Sequence, residues 1–131
     1  MSSLLVFYNV VDRVDGTIPT ENGMLTTLLL LQMAGSSGPT GSIPTELCSL
    51  TNLTELLLNM NRLSSSVPSC LGDLSNLKSL NLAANELNGT IPTELCQLSK
   101  LKELHLTQNM INGTIPSCIG SLPLTDRKSV V

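Results

Sequence analysis

The sequence predicts an α/β repeat solenoid, and two observations carry that prediction. The first is a phrase used over and over. "DGTIPTENGML" begins at Asp15, "GSIPTELCSL" at Gly41, "GTIPTELCQL" at Gly89 and "GTIPSCIGSL" at Gly113, with a weaker "SSVPSCLGDL" at Ser65 between them. Repetition at a fixed period of this size marks stacked supersecondary units. The second is composition: 41% of the residues are hydrophobic, yet there is one Phe, one Tyr and no Trp. The core must therefore be aliphatic, where a single globular domain of this length would recruit more aromatic bulk.

The prolines set the period. Pro19, Pro44, Pro68, Pro92 and Pro116 are 25, 24, 24 and 24 residues apart. Aligned on them, the best copies read Leu-x-x-Leu-x-Leu-x-x-Asn-x-Leu-x-Gly-x-Ile-Pro-x-x-Leu-x-x-Leu. Leu77, Leu80, Leu82, Asn85, Leu87, Gly89, Ile91, Pro92, Leu95 and Leu98 fill this template, and residues 101–122 fill it again with Ile at three of the positions. The pattern is similar to the leucine-rich repeat in its plant-type form, whose mark is Gly-x-Ile-Pro. The resemblance covers residues 4–122. It implies a right-handed horseshoe segment with short parallel strands on the concave face and an irregular or 3-10 convex side. We assign residues 4–125 to about five 24-residue copies, the two amino-terminal ones degenerate.

Each template position has a physical reason. In Leu77-x-x-Leu80-x-Leu82 the last two leucines alternate with polar residues, the period of a strand with one buried face. Successive copies stack such strands in parallel, about 4.8 Å apart. Asn61, Asn85 and Asn109 follow in register and form a structural ladder. An Asn side chain both donates and accepts, so it can satisfy backbone groups of its own and the adjacent coil where the chain turns inward. Each such group left unpaired costs about 1–3 kcal/mol. The Gly permits the next turn, and the proline returns the chain along the convex side.

The poorer copies predict irregularity. Asn9 stands where a strand leucine belongs, and Asp12 and Ser36 stand at ladder positions. Asn22 replaces a core leucine, Ser65 replaces the turn glycine, and "SSGPTG" carries one extra residue. A bulge over residues 35–41 follows from that insertion. It is either tolerated drift or a binding loop, since insertions in repeat proteins often sit on the working face.

No catalytic constellation is written here. The one histidine, His105, lies between Leu104 and Leu106 on the outward side of a strand. Glu46 and Glu94 occupy matching positions two repeats apart and read as solvated convex charges, not an acid–base pair. No phosphate loop or kinase signature is present, and no metal or cofactor is expected. The net charge of −3 with both signs scattered argues against nucleic acid. The longest apolar run, residues 28–31, cannot span a bilayer, which needs about 20 residues. Membrane contact by this segment is therefore not expected. Residues 3–11 are apolar but lack a basic leader, and we read them as a repeat, not a signal peptide.

Recognition is what the resemblance implies. A concave parallel sheet buries its leucines and leaves the intervening residues free to vary, and such surfaces bind protein or peptide ligands. The outward candidates are Tyr8, Leu30, Gln32, Glu55, Leu57, Asn59, Asn81, Glu103, His105 and Thr107. Ser79 and Ala83 also point outward, and Leu30, Leu57 and Tyr8 are expected to form a small apolar patch. Plant-type repeats of this kind resemble ectodomains of receptor-like kinases and receptor-like proteins, membrane-anchored at the cell surface. A secreted inhibitor or structural surface protein without a signalling role is the alternative. Any kinase domain would lie in the parent protein outside this chain.

The ends read as those of a fragment. Family members carry a Cys- and Trp-bearing cap, and none precedes Leu4. At the other end the template asks for apolar residues at 125 and 128 and finds Thr125 and Lys128. One coding of residues 126–131, GAT-CGG-AAG-AGC-GTC-GTG, resembles a common sequencing adapter read in frame. We take 126–131 as a non-native tail.

Two signals bear on location, and both point outside the cell. Asn52, Asn88 and Asn112 head N-glycosylation sequons. The four cysteines alternate between "ELC" and "PSC". Same-column pairs, Cys48 with Cys96 or Cys70 with Cys118, lie two coils and about 10 Å apart, beyond the roughly 4.4–6.8 Å that a disulfide allows between Cα atoms. Cys48–Cys70 with Cys96–Cys118 uses all four and is preferred. Cys70–Cys96, or four buried thiols, remain the alternatives.

Overall fold

The computed structural model describes residues 16–33 and 38–130. The strands are β1 (Leu30–Gln32), β2 (Thr40–Gly41), β3 (Glu55–Leu57), β4 (Arg62–Leu63), β5 (Ser79–Asn81) and β6 (Glu103–His105). β1, β3, β5 and β6 form one parallel sheet in that order. Leu31 stands opposite Leu56, and Leu56 opposite Leu80, which stands opposite Leu104. All four of these leucines are fully buried, as the period-2 pattern requires. β2 and β4 pair in a second parallel strip, which single bridges extend from Thr17 to Thr40 and from Ser66 to Asn88.

Five short 3-10 helices form the opposite wall, at Thr20–Met24, Thr45–Ser49, Ser69–Asp73, Thr93–Gln97 and Ser117–Ser121. Each starts directly after its proline. The ring holds φ near −60° at these prolines, and each proline carbonyl accepts the first bond of its helix. Between the two walls runs a single aliphatic core from Ile18 to Val130. This is the α/β repeat solenoid that the period predicts.

The register locates the extra residue. Leu30 aligns with Glu55, an offset of 25, whereas Arg62 N donates to Pro39 O just as Glu86 N donates to Leu63 O, an equivalence at the regular 24. The insertion therefore falls between Met33 and Pro39. Of the bulge expected over 35–41, Thr40–Gly41 is regular strand and Gly38 and Pro39 are buried, while residues 35–37 lie outside the described residues. Ser36 and Ala34 lie outside the described residues, as do Asn9 and Asp12.

The inward turn also differs in detail from expectation. It is made by the residue before each ladder Asn: Met60, Ala84 and Gln108 have φ of 60°, 56° and 58°. These are left-handed conformations without glycine, which cost about 1–2 kcal/mol each and are held by the bonds of the neighbouring Asn. Ser65, in the turn-glycine column, takes φ 67°, beside 77° at Gly41, 74° at Gly89 and 79° at Gly113. The fold imposes the conformation on the serine.

Past Leu122 the pattern does not stop as sharply as Thr125 and Lys128 suggest. Leu124 and Val130 are buried, and Val130 takes the column of Leu106. Leu106 N donates to Ser129 O at 2.9 Å. Arg127 donates to the carbonyls of Ile119 and Leu122. The last coil's apolar face needs cover, and residues 126–130 supply it.

Candidate recognition surface

Three outward columns cross the concave sheet. The first runs Leu30, Glu55, Ser79, Glu103 and the second Gln32, Leu57, Asn81, His105. Asn59, Ala83 and Thr107 make the third, all half-buried. Glu55 and Glu103 are exposed, whereas Leu30 and Ser79 are buried. Leu30 is thus not the free surface position its outward register suggests. It lies opposite Glu55, and Leu57 lies opposite Gln32, so Leu30 and Leu57 are diagonal neighbours and not direct ones. Tyr8, the third member of the expected apolar patch, lies outside the described residues.

One small polar cluster forms. Ser79 Oγ donates to Glu103 Oε2 at 3.3 Å, and His105 Nε2 lies 3.7 Å from the same oxygen. Asn81 Oδ1 accepts from Ala83 N at 3.1 Å, which fixes the amide against its own strand. Among the described residues there is no group of three His, Cys, Asp or Glu side chains placed to hold a metal ion, and no helix long and apolar enough to cross a membrane.

Beneath the surface the Asn ladder is in place. Asn85 Oδ1 accepts from Leu63 N at 3.0 Å, and its Nδ2 donates to Leu58 O at 2.9 Å and Leu82 O at 3.0 Å. Asn109 repeats this with Leu87 N, Leu82 O and Leu106 O. Asn61 Nδ2 donates to Met33 O and Leu58 O, but its buried Oδ1 has no partner among the described residues. The donor's place, 22 residues earlier, is held by Pro39, which has no N–H. The proline that follows the insertion therefore breaks the ladder one rung early.

On the convex side Cys48 pairs with Cys70 and Cys96 with Cys118, each with Cα atoms 5.7 Å apart, as preferred from the sequence. A feature not anticipated there is what lies between the staples. Gly23, Cys48, Gly72, Cys96 and Gly120 share one column. A Cβ on Gly23 or Gly72 would collide with the carbonyl oxygen of Glu46 or Glu94 in the next coil. Disulfide contacts and bare glycine contacts therefore alternate along the stack. Glu46 and Glu94 are exposed convex charges. Asn52, Asn88 and Asn112 are also exposed, with Asn52 Nδ2 donating to Thr26 O at 2.9 Å.

The leucine-rich-repeat family model matches residues 51–111, the stretch that holds all three ladder asparagines. Over that stretch both the sequence and the stacked parallel strands are those of a leucine-rich repeat. The chain's repeats are of the plant type, and solved structures agree. It is similar to the ectodomain of the Arabidopsis thaliana membrane receptor kinase GASSHO1/SCHENGEN3, solved with CASPARIAN STRIP INTEGRITY FACTOR 2, at 38% identity and TM-score 0.75, over 84% of this chain and 13% of that one. The ectodomain of the Arabidopsis thaliana receptor kinase SOBIR1 gives 31%, TM-score 0.79, 88% and 63%. A plant ice-binding protein gives 30%, TM-score 0.81, 90% and 38%. The leucine-rich-repeat chain thus spans less than two thirds of each of these proteins. The search among curated proteins gives no match.

Proposed function

We propose that this leucine-rich-repeat chain is part of the extracellular region of a receptor-like protein or receptor-like kinase, and that its concave sheet recognises a protein or peptide ligand. The observation that carries the reading is the separation of roles across β1, β3, β5 and β6. Inward residues are invariantly aliphatic, while the outward columns change from coil to coil. Similarity to ectodomains solved with peptide or protein ligands supports it. Paired convex cysteines suit an oxidising compartment, and the exposed sequons at Asn52, Asn88 and Asn112 suit glycosylation. Any membrane anchor or kinase domain belongs to the parent protein. Asn81→Lys and His105→Glu test the assignment of faces. Each should abolish the response to ligand in the full receptor; His105→Glu should leave the melting temperature unchanged, and Asn81→Lys should cost only what the Ala83 N–Asn81 Oδ1 bond contributes, about 1 kcal/mol. Loss of stability without loss of response would reject it.

A second reading, a secreted surface-acting protein with no signalling role, is favoured by one specific observation. Thr17, Ser42, Ser66, Thr90 and Thr114 lie two residues before the five prolines and are all exposed. One residue after the prolines come Thr20, Thr45, Ser69, Thr93 and Ser117, again all exposed. Two uncharged hydroxyl columns repeat with the coil spacing of about 4.8 Å, an array suited to an ordered surface. A plant ice-binding protein shares the fold. On this reading the purified chain slows ice recrystallisation, and Thr90→Lys with Thr93→Lys removes the effect while His105→Glu does not. Absence of any effect on ice growth discards it.

A further inference from the structure

Three Asn-Gly pairs occur in the sequence, at Asn22, Asn88 and Asn112, and the fold treats them differently. We propose that Asn88 and Asn112 are sites of spontaneous backbone-assisted deamidation, and that the fold protects Asn22. In this chemistry the glycine backbone nitrogen gives its proton to hydroxide and attacks Cγ of the preceding Asn. The N–Cγ bond closes a five-membered succinimide. The Cγ–Nδ2 bond breaks, and the nitrogen leaves as ammonia with a proton from water. Water then opens the ring at either carbonyl, giving aspartate when the Cγ–N bond is cleaved and isoaspartate when the main-chain carbonyl–N bond is. The sum is one water in and one ammonia out, with no oxidant or reductant.

The geometry separates the three sites. Asn88 and Asn112 are exposed, and neither side chain is held by a hydrogen bond among the described residues. Gly89 and Gly113 sit in tight turns at φ 74° and 79° and carry no Cβ to hinder attack. Neither glycine donates its N–H to a carbonyl among the described residues, so the nucleophilic nitrogen is unencumbered. Asn22 is 6% exposed and lies inside the 3-10 helix Thr20–Met24. Gly23 packs so closely on the Glu46 carbonyl that even a methyl group would collide. Ring closure there requires the two coils to part.

Conversion at the open sites has two local effects. It places a carboxylate two residues before Thr90 or Thr114. Through isoaspartate it also adds a backbone carbon to the strip in which Asn88 N donates to Ser65 O at 3.0 Å and Asn112 N to Gly89 O at 2.8 Å. Both asparagines head sequons, and a glycan uses the same Nδ2 that deamidation expels. Glycosylation and deamidation therefore exclude one another at each site.

The test uses the oxidised full chain made without glycosylation, incubated over a range of pH and read by peptide mass spectrometry that resolves aspartate from isoaspartate. Asn88 and Asn112 should convert with a rate that rises with hydroxide. Asn22 should lag by at least about tenfold, as a site that reacts only through local opening, and should catch up once the chain is reduced and denatured. Gly89→Ala should slow Asn88 while Asn112 in the same molecule serves as control. Asn22 converting as fast as Asn88 in the folded chain would overturn the proposal. So would Asn88 and Asn112 staying intact under conditions in which the denatured chain converts.

Discussion

Replacing Asn85 by Ala isolates what the ladder contributes, because the fold contains its own control. Asn85→Ala strands the N–H of Leu63, a fully buried residue whose acceptor is Asn85 Oδ1. The three carbonyls that Asn85 serves each keep a partner, Leu58 O through Asn61, Leu82 O through Asn109 and Ala83 O through Met60 N. A stranded buried donor costs about 1–3 kcal/mol, and weakening the three carbonyls adds about 1 kcal/mol. The expected loss is therefore about 2–4 kcal/mol. Asn61→Ala strands no N–H, because Pro39 offers none. It deprives Met33 O of its partner among the described residues and removes an oxygen that has none there. Its cost should be about 1 kcal/mol. Urea unfolding followed by circular dichroism, with both disulfides intact, measures the two as shifts in midpoint at constant slope. If Asn61→Ala costs as much as Asn85→Ala, the explanation of the broken rung is wrong.

Three more outcomes follow from the same structure. Pro39→Leu, the residue type found at positions 63 and 87, restores a donor to Asn61 Oδ1 and should stabilise by about 1 kcal/mol, less what is lost in proline stiffness. In that background Asn61→Ala should become as costly as Asn85→Ala. Asn22→Leu removes a buried Nδ2 with no partner among the described residues and restores the apolar column of Leu47, Leu71 and Leu95. A rise of about 1–3 kcal/mol in urea is expected, and a fall would show that the amide is satisfied. Non-reducing peptide maps should link Cys48 with Cys70 and Cys96 with Cys118. Each closes a separation of 22 residues, so reduction of either should cost about 3 kcal/mol.

Much of the fold is legible in the sequence because each coil repeats the same local chemistry. The strand leucines, the three ladder asparagines and the proline-initiated 3-10 helices each need only their own period to be recognised. The cysteine pairing is legible only in part, since coil spacing excludes the same-column pairs but leaves Cys70–Cys96 open. What escapes the pattern depends on relations between coils. That the Asn61 oxygen lacks a partner among the described residues can be seen only by knowing that Pro39, not Thr40, is the partner position across the insertion. The left-handed residues Met60, Ala84 and Gln108 carry no glycine to betray them. Burial of Leu30 cannot be seen from an alternation that places it outward. The alternating Gly23, Cys48, Gly72, Cys96 and Gly120 column was written in the sequence, but its meaning lies in the next coil's carbonyl. The binding columns are the least legible part, because selection for an outside partner leaves no internal period.

The most direct measurement for the receptor reading is the sequence of the full-length transcript together with its genomic locus. The account predicts that the reading frame departs from the codons for Asp126–Val131 and continues in 24-residue repeats. It should then reach an apolar segment of about 20 residues that can cross a bilayer. A locus that encodes Asp-Arg-Lys-Ser-Val-Val and then stops would contradict both the non-native tail and the receptor.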